Sequence, residues 1–150
     1  MPQSLSQLYA HLIFSTKGRF PFLGEDIRPR VHAFLATILR DMGSPVVVVG
    51  GVADHVHILF DMGRIHAAKD FVEQTKRESS KFIKTLKPGL DKFYWQNGYG
   101  IFSVSPTHKQ SVIQYIAGQE EHHRTVTFQE EYRDFLNRYG IKFNEEYVWD

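Results

Sequence analysis

Two histidines separated by one residue are the side chains in this 150-residue chain best suited to metal chemistry. His55 and His57 lie in an apolar, strand-like run, so their imidazoles point to the same face of a strand. Tyr115 and Gln119 follow later in the chain, at a spacing that places them on one face of a helix. Two imidazoles and an amide oxygen form an open coordination sphere that suits Mg²⁺ or Mn²⁺ as a Lewis acid, and a phenol becomes a nucleophile once it loses its proton.

Each of these pairs also has an ordinary explanation. The chain contains 8 histidines, so a His-x-His pair also arises by chance, and a tyrosine and a glutamine on one helix face are common as packed and solvated residues. His122 and His123 offer a third imidazole for a zinc-type site, but we rank them below Gln119 because histidines at helix ends often only complement the helix dipole. His11, on the preceding strand-like segment, is expected to be packed or exposed rather than a ligand.

The spacing of apolar residues predicts the elements that position these side chains. The order strand, helix, strand, strand, helix, strand predicts an α+β fold, the antiparallel βαββαβ sheet of ferredoxin-like and RNA-recognition-type domains. The predicted elements are a strand over residues 8–16, a helix from Ile27 that stops at Gly43, strands over 47–51 and 52–60 joined near a Gly-Gly pair, a helix over 68–86 that Pro88 and Gly89 close, and an extended segment over 93–104.

A further helix is predicted outside that core and carries the tyrosine. Ser105 has the residue type of an N-cap, Pro106 suits the first helical position, and the helix runs over residues 107–123. Its side chains include Tyr115 and Gln119. We therefore expect one domain over residues 1–150, with a core over about 1–104 and the tyrosine helix and tail over about 105–150.

Composition limits the classes of function. The net charge is +1, so a nucleic-acid surface must come from local clusters among the 18 lysines and arginines. The chain has no cysteine, which excludes disulfides, thiolate metal sites and cysteine nucleophiles. The sequence shows neither a signal-peptide pattern nor an apolar run of membrane-spanning length, so we expect a soluble, cytoplasmic protein that does not contact a membrane.

These motifs resemble those of a known family, the single-tyrosine HUH transposases of small bacterial insertion sequences and REP-associated elements. His55-Val56-His57 matches the histidine, apolar residue, histidine motif of that family, and the segment from Tyr115 to Gln119 matches its Tyr-x-x-x-Gln helix. Trp95-Gln96, residues 98–105, residues 127–132 and residues 147–150 also resemble segments of these proteins, so the resemblance spans nearly the whole chain.

The resemblance implies a function and a set of site residues. Tyr115 would be the catalytic nucleophile, and His55, His57 and Gln119 would bind the divalent metal, Mg²⁺ or Mn²⁺. The expected activity is DNA transposition by a homodimer, in which single-stranded DNA with hairpin ends is cleaved and joined through a 5′-phosphotyrosine without a nucleotide cofactor. Basic residues in two clusters are the expected DNA contacts, namely Lys17, Arg19, Lys76, Arg77 and Lys84.

Two alternatives from other classes remain at the level of the sequence. A non-catalytic nucleic-acid module of the RNA-recognition type shares the order of elements, but it predicts stacking aromatic residues on the central strands, where this chain has His55 and His57. A metal-dependent phosphodiester hydrolase with water as nucleophile is the other alternative. It predicts turnover that survives the change Tyr115→Phe.

Overall fold

The computed structural model describes residues 2–150. In chain order its elements are β1 (Tyr9–Ser15), α1 (Arg28–Asp41), β2 (Val46–Val52), β3 (His55–Asp61), α2 (Ala68–Lys84), β4 (Gly100–Val104), α3 (Lys109–Ala117), α4 (Gln119–His122) and α5 (Phe128–Arg138). The strands form one antiparallel sheet in the order β2-β3-β1-β4. This topology confirms the predicted ferredoxin-like fold. Within residues 2–150, no helix combines the length and the apolar character needed to cross a membrane.

One face of the sheet packs against α1 and α2. Side chains alternate along β1 and β3, so every second residue of each strand enters this layer. The layer is mainly apolar, and its burial from water is the main stabilisation of the fold. Its buried members include Leu12, Phe14, Val56, Ile58 and Phe60 from the strands, Val31, Leu35 and Leu39 from α1, and Phe71, Val72 and Ile83 from α2.

The opposite face of the sheet is covered by α3 and α5. Ile13 and Phe102 pack against the apolar side of α5, and Leu59 packs with Ile116 of α3. His11, His55 and His57 point into this second layer, because they alternate with the residues of the first. The two predicted metal ligands are therefore buried inside the protein.

The predicted joint of two strands at the Gly-Gly pair is wrong. Gly50 and Gly51 both belong to β2, and the turn to β3 is formed by Ala53 and Asp54. The glycines are needed for close approach instead of for the turn. A Cβ atom on Gly50 would lie 2.5 Å from the carbonyl oxygen of Ile116, and Gly51 has a φ of +146° with no room for a side chain beside His55.

The predicted extended segment over residues 93–104 forms a strand only in its last part, β4. Beyond the paired stretch of β1 and β4, the side chain and the main chain of Gln96 take over the hydrogen bonds of Ser15. The main-chain amide of Ser15 donates to Oε1 of Gln96 at 2.8 Å, and the main-chain amide of Gln96 donates to the Ser15 carbonyl at 2.9 Å. The chain therefore crosses the end of β1 as an irregular segment, with one isolated bridge between Thr16 and Trp95.

The predicted helix over residues 107–123 is interrupted. Ser105 caps its start as predicted, because its hydroxyl accepts a hydrogen bond from the Thr107 amide at 3.3 Å. A single 3₁₀ turn then leads into α3, and the chain leaves helical geometry at Gly118 before α4 begins. Tyr115 and Gln119 consequently lie on two short helices rather than on one.

The helix α5 was not among the predicted elements. Thr127 caps it by accepting a hydrogen bond from the Glu130 amide at 3.2 Å, the capping arrangement that a Thr-x-x-Glu pattern indicates. Phe128, Tyr132 and Leu136 recur at helical spacing behind that cap and are buried. The signal was therefore present in the tail and was missed.

The close contact between β2 and α3 predicts that stability is sensitive to a side chain at Gly50. We expect Gly50→Ala to lower the free energy of unfolding by about 1–3 kcal/mol, because the new methyl group would overlap the main chain of α3. Chemical denaturation of the purified variant measures this change.

Gly118→Ala is the matched control for that variant. A Cβ atom there has no neighbour closer than 3.4 Å, which is an ordinary contact distance, so the change should cost little or nothing. Equal destabilisation by the two substitutions would contradict the close approach at Gly50.

Candidate active site

The two histidines of β3 are oriented by hydrogen bonds on one side of each ring. Nδ1 of His55 lies 2.7 Å from Oδ1 of Asp54, and Nδ1 of His57 lies 2.8 Å from Nε2 of His11. Partners of this kind fix the orientation of metal-binding imidazoles. Both Nε2 atoms are thereby directed toward the same point under α4 and α5. His11 is packed, as expected, and it supports His57.

A single carboxylate occupies that point. Oε1 of Glu131, on α5, lies 2.9 Å from Nε2 of His57 and 3.4 Å from Nε2 of His55. Oε2 of Glu131 lies 3.2 Å from Nε2 of His123 and the same distance from Nε2 of His122. Glu131 is 4% exposed, so its charge is balanced almost entirely by these imidazoles.

Gln119 and His123 complete the cluster from the side of α4. Oε1 of Gln119 lies 3.1 Å from Nε2 of His55 and 2.9 Å from Nε2 of His123, while its amide nitrogen donates to Oε2 of Glu131 at 3.1 Å. Nδ1 of His123 lies 2.7 Å from the carbonyl oxygen of Val126, which orients this ring as well. Gln119 is therefore at the site, as predicted, together with a third imidazole that had been ranked below it.

These side chains fit a divalent metal. One donor atom from each of His55, His57, His123 and Glu131 lies within 4.8 Å of all the others. Three imidazoles with one carboxylate bind a divalent metal more tightly than the predicted pair of histidines with an amide. This set suits Zn²⁺ and Mn²⁺ at least as well as Mg²⁺, which prefers carboxylates and water.

The charges of the cluster are distributed unevenly. Burial raises the pKa of Glu131, but its hydrogen bonds to His123, His55 and His57 outweigh burial and hold the pKa far below its usual range. Burial lowers the pKa of His55, but hydrogen bonds to Asp54 and Glu131 outweigh it and raise the pKa to about 9. Burial dominates at His57 and lowers its pKa to about 4. The metal-free cluster is thus an ion pair of Glu131 with His55, joined by a neutral His57.

Tyr115 reaches the same carboxylate from α3. Its hydroxyl donates a hydrogen bond to Oε2 of Glu131, and its ring centre lies 5.8 Å from that of His57. Burial raises the pKa of Tyr115 above its ordinary value, and the neighbouring charge of Glu131 raises it further. The phenol is therefore protonated in this arrangement, and a cation that offsets the charge of Glu131 would favour its ionisation.

Comparison with known proteins assigns the chain to a family. The family model described as "Transposase IS200 like" matches residues 4–119, which contain the histidine pair, the tyrosine and the glutamine. The chain belongs to the IS200-like transposase family. It is accordingly an enzyme of DNA transposition, as the resemblance implied.

Individual relatives agree with this family assignment. The ISDra2 transposase TnpA of Deinococcus radiodurans is 28% identical over 120 residues, which cover 77% of this chain and 86% of the relative. A crystal structure from the same species, described provisionally as a transposase, has a TM-score of 0.62 and 25% identity, and the alignment covers 79% of this chain and 98% of the other. A REP-associated tyrosine transposase bound to a REP hairpin has a TM-score of 0.62 with 12% identity over 84% of this chain and 74% of its own, which shows the shared fold.

Glu131 is the residue that sequence reasoning missed in this IS200-like transposase. It lies outside the matched residues, on the helix that was not predicted. The available signal was its position, because Phe128, Glu131, Tyr132 and Phe135 occupy one face of α5. A carboxylate within an apolar stripe requires a buried partner, and the histidines were the obvious candidates.

The predicted DNA contacts do not gather around the metal cluster. Lys76 is half-buried, and its ammonium donates to the carbonyl oxygens of residues 96, 97 and 98, so it fixes that loop. Arg77 pairs with Glu73 at 2.6 Å on the surface of α2. The other three lie at the end of β1 and beside it, where Lys17 is exposed, Arg19 lies over the Trp149 ring and Lys84 lies over the Tyr94 ring.

The donor set predicts an order of metal affinities. We expect Zn²⁺ to bind more tightly than Mn²⁺, and Mn²⁺ more tightly than Mg²⁺, because imidazole-rich sites follow that order. Isothermal titration calorimetry with each ion measures this. Asp54→Asn should weaken binding by about 10- to 100-fold through the orientation of His55.

The exposed His108 provides a matched control for the metal measurement. His108→Ala should bind each ion as the unaltered protein does. A loss of affinity in this variant equal to that of His57→Ala would contradict the assignment of the site.

The pKa values predict how pH affects the metal-free protein. His55 has a folded pKa of about 9 against an ordinary value of 6.5, so the stability it contributes is complete below pH 6.5 and is lost as pH rises through 9. His57 has a folded pKa of about 4, so its contribution is complete above pH 6.5 and is lost as pH falls through 4. We expect maximal stability near pH 6.5 in chelator. Each titrating group contributes a slope of at most about 1.4 kcal/mol per pH unit, and the acidic slope is the steeper one because the pKa values of His11 and His32 are also lowered.

Denaturation curves in chelator across this pH range measure the two slopes. His55→Ala should remove the slope on the alkaline side and leave the slope on the acidic side. An alkaline slope that persists in His55→Ala would contradict the charge distribution of the cluster.

Proposed function

We propose that this transposase cleaves and joins single-stranded DNA in a metal-dependent reaction with Tyr115 as the nucleophile. The observation that supports this most directly is that the tyrosine and the metal donors meet at one side chain. The hydroxyl of Tyr115 and the Nε2 atoms of His55 and His57 all contact the one carboxylate of Glu131. A nucleophile and a set of metal donors that share one point can act on one phosphate group.

The metal donors in this proposal are His55 and His57, with Gln119, His123 and Glu131 contributing from the opposite side. When bound, the cation would act as a Lewis acid on the scissile phosphate. The protein supplies the orientation, because Asp54 and His11 hold the rings of β3. The layer of helices over the site buries the side chains of His55, His57 and Glu131.

The reaction at Tyr115 conserves the energy of the phosphodiester bond. The phenol loses its proton as its oxygen forms a bond to phosphorus. The bond from phosphorus to the 3′ oxygen breaks, and that oxygen takes up a proton and leaves as a hydroxyl, so the number of protons is unchanged. The product is a 5′-phosphotyrosine. A 3′-hydroxyl from another end can attack this intermediate, release the tyrosine and join the strands without ATP.

The substrate in this proposal is single-stranded DNA with hairpin ends. The relative of the same fold that is bound to a REP hairpin supports this class of DNA. The non-catalytic RNA-recognition alternative is disfavoured because such modules bind nucleic acid on an open sheet face. In this protein α3 and α5 cover that face.

One chain supplies every group of the proposed site. Tyr115 lies against His57, and Glu131 bonds to both, within a single copy. The proposal includes a homodimer, on the ground of the family resemblance, but each subunit would act through its own tyrosine. Dimerisation would then serve to bring two DNA ends together.

A covalent-adduct assay tests the proposed nucleophile. Purified protein, end-labelled single strands from the ends flanking its own gene, and Mn²⁺ or Mg²⁺ should give a shifted band on a denaturing gel. Tyr115→Phe should abolish the band and retain metal binding, whereas Tyr147→Phe, at an exposed tyrosine, should leave it unchanged. Cleavage without an adduct that persists in Tyr115→Phe would instead support the hydrolase alternative.

Mixed variants test whether the tyrosine acts within its own subunit. Tyr115→Phe lacks the nucleophile and His57→Ala lacks a metal donor, so neither alone should form an adduct. We expect a mixture of the two to remain inactive, because no subunit then contains a complete site. Restored adduct formation in the mixture would show that subunits exchange their tyrosine helices.

A further inference from the structure

Two aromatic side chains are exposed on segments that meet at the end of β1. Phe20 is 59% exposed and Tyr94 is 56% exposed. The Lys17 amide donates to the Tyr94 carbonyl at 2.8 Å, and the Phe20 amide donates to the Lys17 carbonyl at 3.3 Å, so the two segments are tied together. We define the aromatic patch as Phe20 and Tyr94 with the flanking Lys17 and Lys84.

The aromatic patch is held by a row of rings that runs from Phe20 at the surface into the core. The ring of Phe20 lies 4.5 Å from that of Phe22, Phe22 lies 5.3 Å from Phe93, and Phe93 lies 4.8 Å from Trp95. Phe93 and Trp95 are buried. Because the row fixes the main chain on either side of them, Phe20 and Tyr94 can accept a flat ligand with little loss of side-chain entropy.

The surroundings of the aromatic patch are basic. The ammonium of Lys84 lies 4.3 Å from the centre of the Tyr94 ring, and Lys17 is exposed beside it. Lys92 is also exposed on the segment that leads to Tyr94, where Asp91 is the acidic neighbour in sequence. Exposed aromatic rings interleaved with lysines are the surface that unpaired nucleotides require, since bases stack and phosphates pair with cations.

The turn that presents Phe20 is strained. Gly18 and Arg19 have φ values of 62° and 59°, and Arg19 is the one non-glycine residue in the left-handed region among residues 2–150. Nη1 of Arg19 is buried and has no hydrogen-bond partner within the described part of the chain. Strain of this kind persists only where the surrounding structure fixes the backbone, so the turn presents Phe20 in a defined position.

The aromatic patch adjoins the candidate active site. The Thr16 amide donates to the carbonyl of Asp54 at 2.8 Å, and the side chain of Asp54 in turn contacts His55. A cleft of about 620 Å³ continues from Pro21 past Asp54 to His123. The cleft therefore extends from His123, at the metal donors, to Pro21, which follows Phe20 of the aromatic patch in the chain.

We infer that the aromatic patch binds unpaired bases of the DNA strand that Tyr115 cleaves. Phe20 and Tyr94 stack on the bases, and Lys17 and Lys84 contact the phosphates beside them. The inference rests on the proposed function, because it takes its ligand from that reaction. Base-paired DNA does not fit, since its bases are stacked on one another and their faces are inaccessible.

The test measures binding rather than activity. Full-length protein with Tyr115→Phe is titrated in chelator against a fluorescent oligodeoxythymidine and a duplex of equal length, with anisotropy as the readout. Phe20→Leu combined with Tyr94→Leu should weaken single-strand binding about tenfold or more and leave duplex binding unchanged. Tyr94→Phe should bind as the parent does, and so should Tyr147→Leu, which removes an equally exposed ring elsewhere.

Salt dependence separates the stacking from the charge contribution. The leucine variant should retain the salt slope of the parent, whereas Lys17→Gln with Lys84→Gln should reduce it by about two phosphate contacts. Unchanged single-strand affinity in the leucine variant, with thermal unfolding like that of the parent, would overturn the inference. An equal loss of duplex binding would also overturn it.

Failure of the proposed function can be distinguished from failure of the inference about the aromatic patch. If the unaltered protein forms no adduct while the leucine variant still loses single-strand affinity, the covalent chemistry is wrong and the stacking surface stands. If the adduct forms and the leucine variant binds single strands as the parent does, the stacking surface is wrong and the chemistry stands.

Discussion

The buried carboxylate of Glu131 is the constraint on which the rest of the site depends. A carboxylate with almost no exposure is tolerated only when cations and hydrogen-bond donors surround it closely. Here those donors are imidazoles from β3 and α4, the amide of Gln119 and the hydroxyl of Tyr115. The same charge therefore fixes α5 on the sheet, aligns the histidines and positions the hydroxyl of Tyr115.

The second helical layer changes what a ferredoxin-like sheet can do. In a domain with one open face, the central strands bind a ligand directly on their side chains. In this protein α3 and α5 cover the strands, and the residues beneath them form an enclosed polar cluster within an apolar layer. Low local polarity strengthens the electrostatic interactions within that cluster, and it makes each unpaired group in it costly.

Sequence patterns were sufficient for the core and for part of the site. Apolar periodicity gave the order of the six core elements, and the spacing of His55 and His57 placed both imidazoles on one face. The break at Gly118 and the positions of Gly50 and Gly51 depend on contacts between distant segments, which periodicity does not report. Glu131 was missed because its role is defined by tertiary contacts with β3, although its place on an apolar helix face was visible.

The cluster also connects distant parts of the chain. His57 and Glu131 are separated by 74 positions, and the chain has no cysteine with which to form a covalent link over such a distance. A metal held by both residues would close that loop in the folded protein only, as a cross-link does. Metal binding would then favour attachment of the C-terminal helix, so removal of the metal would loosen that helix before the apolar core beneath the sheet.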